Sequence, residues 1–405
     1  MKGSNVLKKL LVLCSLLCVS VLYADELSNV LSDNKNILFD YEFQANSAQS
    51  DILENSWINP ILLQYRRNYS KQFTDKTVQT GSFTVGIDQP IFRSGGIYYA
   101  IKYAQVLRSA NEVEIRLKKR QTIANAVKIL FQRKRMKLEK KKLSLLVKND
   151  GIEIKQRQES YDAGLIDSSF LDQAILKRNQ DETKLLELDV SMMSLEQSFA
   201  LLSDKKPETL KLPKLKFISA EQYKGDNLEL VRDKLRAKQK GYNAKITWAK
   251  YLPTIAVQGR YTDEDINPLF ARGGGLEEKY FTYGFSISMP LNINMFSDVE
   301  ASKVEHLKAQ TEVIERKHTI DEEYKLVQHK LRIIDKKISL AKKDERLYQR
   351  LYKTTKNLAI AGEKTSYDTA LMRNSLEVKK LDRKIYVIDK QLELLALYTK
   401  VENAI

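Results

Sequence analysis

The chain has 405 residues, a formal net charge of +16 and two cysteines. Both cysteines, Cys14 and Cys18, lie within the first 24 residues, so the rest of the chain has neither a disulfide nor a cysteine metal site. The charge is spread along predicted helices as mixed Lys/Glu runs, such as Arg133 to Lys142, and we interpret these runs mainly as solvated helix faces. Together with the export signal described next, this excludes a nucleic-acid partner from our expectations.

Residues 1–24 are predicted to be a secretory signal. A positive segment with Lys2, Lys8 and Lys9 precedes the apolar stretch Leu10 to Leu22, and Ala24 offers a cleavage site. An uncleaved N-terminal anchor is the alternative. After Ala24 no apolar run is long enough for a membrane helix, so a membrane-spanning form of the mature chain would have to be a closed β-barrel.

Four segments alternate between apolar and polar residues with the period of a β-strand. They begin near Ile61, Phe83, Thr254 and Phe281, and each has the length that a tilted membrane strand needs. An ordinary half-buried sheet would have the same pattern. Because four strands are too few to close a barrel, a barrel here would be shared by several chains.

The rest of the mature chain is predicted to be mostly helical. Two long helices are expected at about 97–160 and 298–358, two shorter ones ending near Leu202 and Glu402, and one at 226–250. Apolar residues spaced three and four apart indicate coiled-coil packing. Residues 205–225, with Pro207 and Pro213, are predicted to be a non-helical linker. Residues 25–56 are polar and weakly periodic, and no clear helix is expected there.

The second half of the chain repeats the first. The strand-ending Pro90 and Pro290 lie 200 positions apart, and the turn glycines Gly164 and Gly362 lie 198 apart. We therefore divide the mature chain into a first repeat at 25–202, a linker at 203–225 and a second repeat at 226–405. Each repeat contributes two strands and a helical hairpin.

Both hairpin turns have helix-ending and helix-starting residues. Gly164 and Gly362 are predicted to end the long helices. The segments from Ser169 to Asp172 and from Thr365 to Asp368 both match a capping box, which predicts Ser169 and Thr365 as N-caps with an acid in the first turn. Capping alone would account for both acids.

Residues that would indicate catalysis are missing from the sequence. The three histidines, His306, His318 and His329, lie on one predicted helix without a ligand-like partner at short spacing. The sequence has no nucleophile elbow, phosphate-binding loop or dinucleotide fingerprint. We expect no enzyme activity, no cofactor and no metal site.

These features together resemble the TolC-type outer-membrane efflux and secretion channels. The resemblance is carried by the turn segments 161–174 and 361–370, by Tyr251-Leu252-Pro253 before one strand and by Gln89-Pro90-Ile91-Phe92 at the end of another. It implies an α+β membrane protein with a long coiled-coil α-helical barrel and a transmembrane β-barrel shared by three chains, four strands per chain. It also implies the outer membrane of a Gram-negative bacterium, with the helices in the periplasm.

The resemblance further assigns roles to the turns. An acid beyond the second turn would face the narrow periplasmic entrance, and Asp368 occupies that position, with Asp172 and Asp167 as candidates in the first repeat. Leu371 occupies a position where the family often has a second acid. The adaptor-docking tip would comprise Gly164, Leu165, Ile166, Gly362, Glu363 and Lys364.

The leading hypothesis is therefore a trimeric exit duct of a tripartite efflux pump or type I secretion system. Its partners would be a periplasmic adaptor (membrane fusion) protein, an inner-membrane RND, ABC or MFS transporter, and outer-membrane lipid. A periplasmic adaptor and an exported coiled-coil structural protein are the alternatives. The sequence names neither the transported substrate nor the pump.

Overall fold

The computed structural model describes residues 30–71, 77–265 and 277–402. The predicted signal segment and the loop with Gly273 to Gly275 therefore lie outside the described residues. Helix α1 is Asp33–Glu54, followed by strands β1 (Leu62–Ser70) and β2 (Val78–Phe92), and helices α2 (Gly96–Asp162), α3 (Ser168–Ala200), α4 (Ala220–Gly225) and α5 (Leu228–Ala249). Strands β3 (Thr254–Glu264) and β4 (Lys279–Ser288) and helices α6 (Met295–Ile360) and α7 (Ser366–Tyr398) complete the chain.

Two compact units can be distinguished. The sheet unit comprises Tyr41–Glu114 and Leu230–Arg316, and the turn unit comprises the residues up to Asp40, Ile115–Glu229 and the residues from Lys317 onward. Helices α2 and α6 contribute residues to both.

The sheet unit contains one antiparallel sheet in the order β1-β2-β3-β4. The register places Leu63, Val85, Tyr261 and Phe281 in one row across the four strands, and places Leu62, Gly86, Arg260 and Thr282 in the next. Adjacent rows point to opposite faces of a sheet. The predicted alternation therefore becomes one largely apolar face and one largely polar face, and all four predicted strands are present.

The helices of the two repeats have matching lengths. Helices α2 and α6 have 67 and 66 residues, and α3 and α7 have 33 residues each. At about 1.5 Å per residue each long helix extends for roughly 100 Å. The long and short helices predicted from the sequence are therefore present, with ends within three residues of the predicted ones for α2 and α6.

Two expectations about helices are wrong. Residues 33–54 form helix α1, although no clear helix was expected there. Contacts with other parts of the chain stabilise this helix despite its weak apolar periodicity. Phe39 is 5% exposed and lies beneath the ammonium groups of Lys118 and Lys119. Asn46 donates to the carbonyl of Arg108 at 3.1 Å. The linker also contains a short helix, α4, which Ser219 caps.

The charged residues from Arg133 to Lys142 do not all lie on a solvated face, because half of them, Arg133, Arg135, Lys140 and Lys142, pair with acids of other helices in the turn unit. Arg133 pairs with Glu196 of α3, while Arg135 and Lys142 pair with Asp389 and Asp382 of α7, both at 2.7 Å. Four more pairs among the described residues join α6 to α7: Asp335 with Lys390, Glu345 with Arg383, Lys330 with Glu393 and Asp344 with Lys379. The side chains in these pairs are partly exposed, so each pair adds little stability, but the set fixes which helices are neighbours.

Within residues 30–71, 77–265 and 277–402, every helix lacks the length or the apolar character needed to cross a membrane.

Candidate functional site: the paired helical turns

Both long helices end in the same hydrogen-bonded motif. In the first repeat Gly164 has φ +67°, its N–H donates to Tyr161 O at 2.8 Å, and the N–H of Leu165 donates to Ser160 O at 2.9 Å. In the second, Gly362 has φ +82°, and its N–H and that of Glu363 donate to Ala359 and Leu358. This is a Schellman motif in both turns, and its left-handed residue favours glycine.

The second turn leads directly into a capping box. The Asp368 N–H donates to Thr365 Oγ1 at 3.1 Å, and the Thr365 N–H donates to Asp368 Oδ2 at 3.0 Å. The Thr365 backbone and hydroxyl bonds lower the pKa of the Asp368 carboxyl below its usual value. Thr365 is therefore the N-cap of α7, and the Asp368 carboxylate is already engaged in holding the helix end.

The first turn uses a different cap from the one predicted. Asp167, not Ser169, is the N-cap of α3, because the helix begins at Ser168, one residue before the predicted cap. The Asp167 side chain accepts from the Ser169 N–H at 2.8 Å, and this backbone bond lowers the pKa of the Asp167 carboxyl. Consequently Asp172 lies in the second turn of α3 rather than the first, and it is exposed.

The caps also fix which residues of the two repeats are equivalent. Asp167 and Thr365 are both N-caps and lie 198 positions apart, the same spacing as Gly164 and Gly362. Phe170 therefore occupies the position equivalent to Asp368. The Phe170 ring is 47% exposed and stacks near the Arg157 guanidinium at 5.7 Å, so an acid is present at this position only in the second repeat.

The second turn is joined to the end of α2 by contacts that the sequence did not suggest. Tyr367 Oη donates to Glu159 Oε1 at 2.9 Å, and this bond raises the pKa of the Tyr367 hydroxyl. Further from the turn, Asn374 donates to Asn149 at 2.8 Å. Nothing in one sequence indicates which residues of two helices more than 200 positions apart will meet.

A polar cleft of about 280 Å³ lies beside these contacts, between α2 and α7. Its lining includes Glu153, Arg157 and, from α7, Leu371. Leu371 thus lines a cleft that also contains the carboxylate of Glu153 and the guanidinium of Arg157. Close by, Asp150 is 2% exposed and pairs with Lys177 of α3 at 2.8 Å.

The remaining predicted tip residues are accessible. Leu165 is 77% exposed, and Gly164, Gly362, Glu363 and Lys364 are also exposed, whereas Ile166 is half-buried. In the described part of the chain, no group of three or more histidine, cysteine, aspartate or glutamate side chains is placed to hold a metal ion.

Comparison with protein-family models gives no match, and neither does comparison with curated proteins. Solved structures do match. The outer-membrane protein VceC of Vibrio cholerae gives a TM-score of 0.73 at 14% identity, with 93% of this chain and 95% of that chain covered. The outer-membrane channel CmeC of Campylobacter jejuni gives 0.72 at 14% identity, covering 94% and 86%.

A third structure, the open state of the outer-membrane channel MtrE of Neisseria gonorrhoeae, gives a TM-score of 0.61 at 12% identity, with 91% and 89% covered. These likenesses extend over nearly the whole of each chain, which includes the four-stranded sheet and both helical hairpins. The resemblance stated from the sequence is thus confirmed at the level of the fold: the chain has the fold of the TolC-type outer-membrane efflux channels.

Proposed function

We propose that three copies of this chain form a passive channel across the outer membrane of a Gram-negative bacterium. The channel is the exit duct of a tripartite efflux pump or a type I secretion system. The helices lie in the periplasm, and an inner-membrane RND, ABC or MFS transporter supplies the energy through a periplasmic adaptor. The chain itself is a conduit and not an enzyme.

The faces of the sheet support a membrane location. On the apolar face Tyr283 is 84% exposed, Phe285 74% and Phe281 62%. Exposing so many large apolar side chains to water is costly, and lipid would remove that cost. The opposite face has small and polar residues such as Ser82, Thr84 and Gln258, which suit a water-filled interior.

The edges of the sheet support sharing between chains. Strands β1 and β4 each pair with a neighbour on one side only. Pairing β1 of one copy with β4 of the next would satisfy both edges. Three copies would close a sheet of twelve strands, within the range of outer-membrane barrels.

The observation that carries the proposal lies on α6. Leu326, Ile333, Leu340 and Leu347, spaced by seven residues, are 56%, 55%, 59% and 43% exposed. We call this set the α6 seam. Its equivalents on α2 in the other repeat, 198 positions earlier, include Arg135, Lys142 and Asn149, which are the residues that α2 uses to contact α7. The repeat thus predicts a helix against the α6 seam, which the described part of the chain leaves exposed.

Helix α3 has the matching exposed edge. Leu176 is 60% exposed and occupies the position equivalent to Asn374, which contacts α2. Val190 is 67% exposed and occupies the position equivalent to Ile388, which is buried. An α3 helix from a second copy would therefore cover the α6 seam as α7 covers α2. Repeating this contact three times closes a ring.

The experiment that tests this proposal is single-channel conductance of the purified mature protein in planar bilayers, paired with its mass in detergent. Discrete openings from a species of three chains would support the duct. A soluble monomer without conductance would contradict it and would favour the adaptor or the structural coiled coil.

A further inference from the structure

Helix α2 has a column of unpaired positive charges. Lys134, Lys141, Lys148 and Lys155 are exposed, and each lies seven residues from the next, so that all four occupy one heptad position. None of them forms an ion pair with a residue that the structure describes. We call this set the α2 column, and at 1.5 Å per residue it extends for about 30 Å.

The neighbouring heptad positions of α2 are used differently. Arg133 pairs with Glu196 of α3 on one side, and Arg135 pairs with Asp389 of α7 on the other. The α2 column therefore lies between two helix contacts, on the free surface of the helix layer. Lys137, on an adjacent heptad position, pairs at 3.6 Å with Glu208 of the linker, so the linker lies on this same side.

Helix α6 repeats the feature. The positions 198 residues after the α2 column are Arg332, Ser339, Arg346 and Lys353, all exposed. The three cations among them, which we call the α6 column, also lack an ion pair among the described residues. Both copies of the repeat thus retain a cation-bearing heptad position without an ion pair among the described residues. Beside the α2 column, the neighbouring cations Arg133, Arg135 and Lys142 are paired with acids of other helices.

We propose that each column is a docking surface for an acidic helix of a partner protein, with carboxylates at heptad spacing. An α-helix offers the same axial repeat as the columns, so successive glutamates on one face would meet successive lysines. A column free of acids attracts an anionic partner and disfavours a basic one. The proposal rests on the duct proposed above, because it names the chemistry of a partner that lies along the helices.

The test uses full-length mature protein in detergent and two synthetic helical peptides of about four heptads. One peptide has glutamate at a single heptad position, and the other has glutamine there. The quadruple variant K134Q/K141Q/K148Q/K155Q is compared with a control, K234Q/K238Q/K303Q/K317Q, which removes four exposed lysines outside both columns. Peptide binding is measured by fluorescence anisotropy at two salt concentrations.

We expect the wild type to bind the glutamate peptide more tightly than the glutamine peptide, and we expect salt to weaken that binding. The column variant should bind about tenfold more weakly, since four modest ion pairs are lost, whereas the control variant should retain wild-type affinity. Equal losses in the two variants would overturn the proposal, because the attraction would then be general charge.

A second probe separates the helical partner from a cell-wall polymer. If the column variant loses binding to isolated peptidoglycan sacculi while the wild type ignores the glutamate peptide, the helical partner is refuted. Channel formation is measured on the same samples. A wild type that conducts but binds both peptides equally contradicts the docking surface alone, and one that binds the glutamate peptide without conducting contradicts the duct alone.

Discussion

The two long helices α2 and α6 have nearly the same length and the same turn at their ends, yet equivalent positions meet different surroundings. Where α2 presents Arg135, Lys142 and Asn149, each of them meets a polar partner on α7. Where α6 presents Ile333, Leu340 and Leu347, the side chains are exposed. Contacts within the chain are polar at this position, whereas the contact we assign to a second copy is apolar. This difference suits a joint that must form between separately folded chains, since apolar burial drives association without matched partners.

The largest effect is expected from charging the α6 seam. The variant I333E/L340E should fail to form trimers, because two buried, unpaired carboxylates would cost more than the interface returns. Mass in detergent and channel activity are the measurements. The variant K342E/Q349E places two acids elsewhere on the same helix and should leave the trimer intact. Trimers of I333E/L340E would contradict the assignment of this surface.

The next effect concerns the shared turn motif. Gly164→Ala and Gly362→Ala should each destabilise the protein by about 1–2 kcal/mol, because both positions have positive φ. Gly151→Ala, inside α2 with open space around the added methyl group, should instead stabilise it by about 0.5–1 kcal/mol. Denaturant midpoints measure all three. Similar losses at the two turns would match their common geometry, and a large difference would argue against it.

Alanine substitutions at the two predicted N-caps should change stability by different amounts. Thr365→Ala removes the N-cap of α7 and should cost about 1 kcal/mol, while Ser169→Ala, at an exposed position that does not cap α3, should stay within about 0.5 kcal/mol. Thermal unfolding can compare them. A larger loss of stability in Ser169→Ala than in Thr365→Ala would support Ser169 as the N-cap of α3, as expected from the sequence.

The bond between Tyr367 and Glu159 has no described counterpart in the first turn. If it helps to hold a narrow entrance, Tyr367→Phe should raise single-channel conductance, because the hydroxyl that reaches Glu159 is removed. Tyr161→Phe, which removes an exposed hydroxyl at the end of α2, is the matched control and should conduct as the wild type does. Unchanged conductance in Tyr367→Phe would restrict the bond to a structural role.

The smallest effect should be a dependence of stability on pH. The folded-state pKa of Asp368 lies below its unfolded value, so its contribution to stability is complete above about pH 4 and is lost as the pH falls through the folded pKa. The stability gap between the wild type and Asp368→Asn should therefore close on acidification. A gap that is independent of pH would show that the charge adds nothing to the cap. Altered block by cations in the same variant would indicate that Asp368 also faces the entrance.

Much of the architecture could be predicted from local patterns. The period of two predicted all four strands, the heptads predicted both hairpins, and the glycines located both turns. The capping box at Thr365 could be read from four consecutive residues. The sequence failed where local signals compete: Asp167 and Ser169 both lie close to the start of α3, and only the helix start decides that Asp167 is the cap.

By itself, the sequence determined the repeat, the type and approximate length of most elements, and the turn chemistry, because these depend on residues close together along the chain. Only the tertiary structure decided that α1 is a helix, that Tyr367 meets Glu159, that Asp167 rather than Ser169 caps α3, and that α6 has an exposed apolar seam. Each of these depends on contacts between residues far apart in sequence, or on the exact start of a helix. Burial and packing, rather than local preference, decide such features.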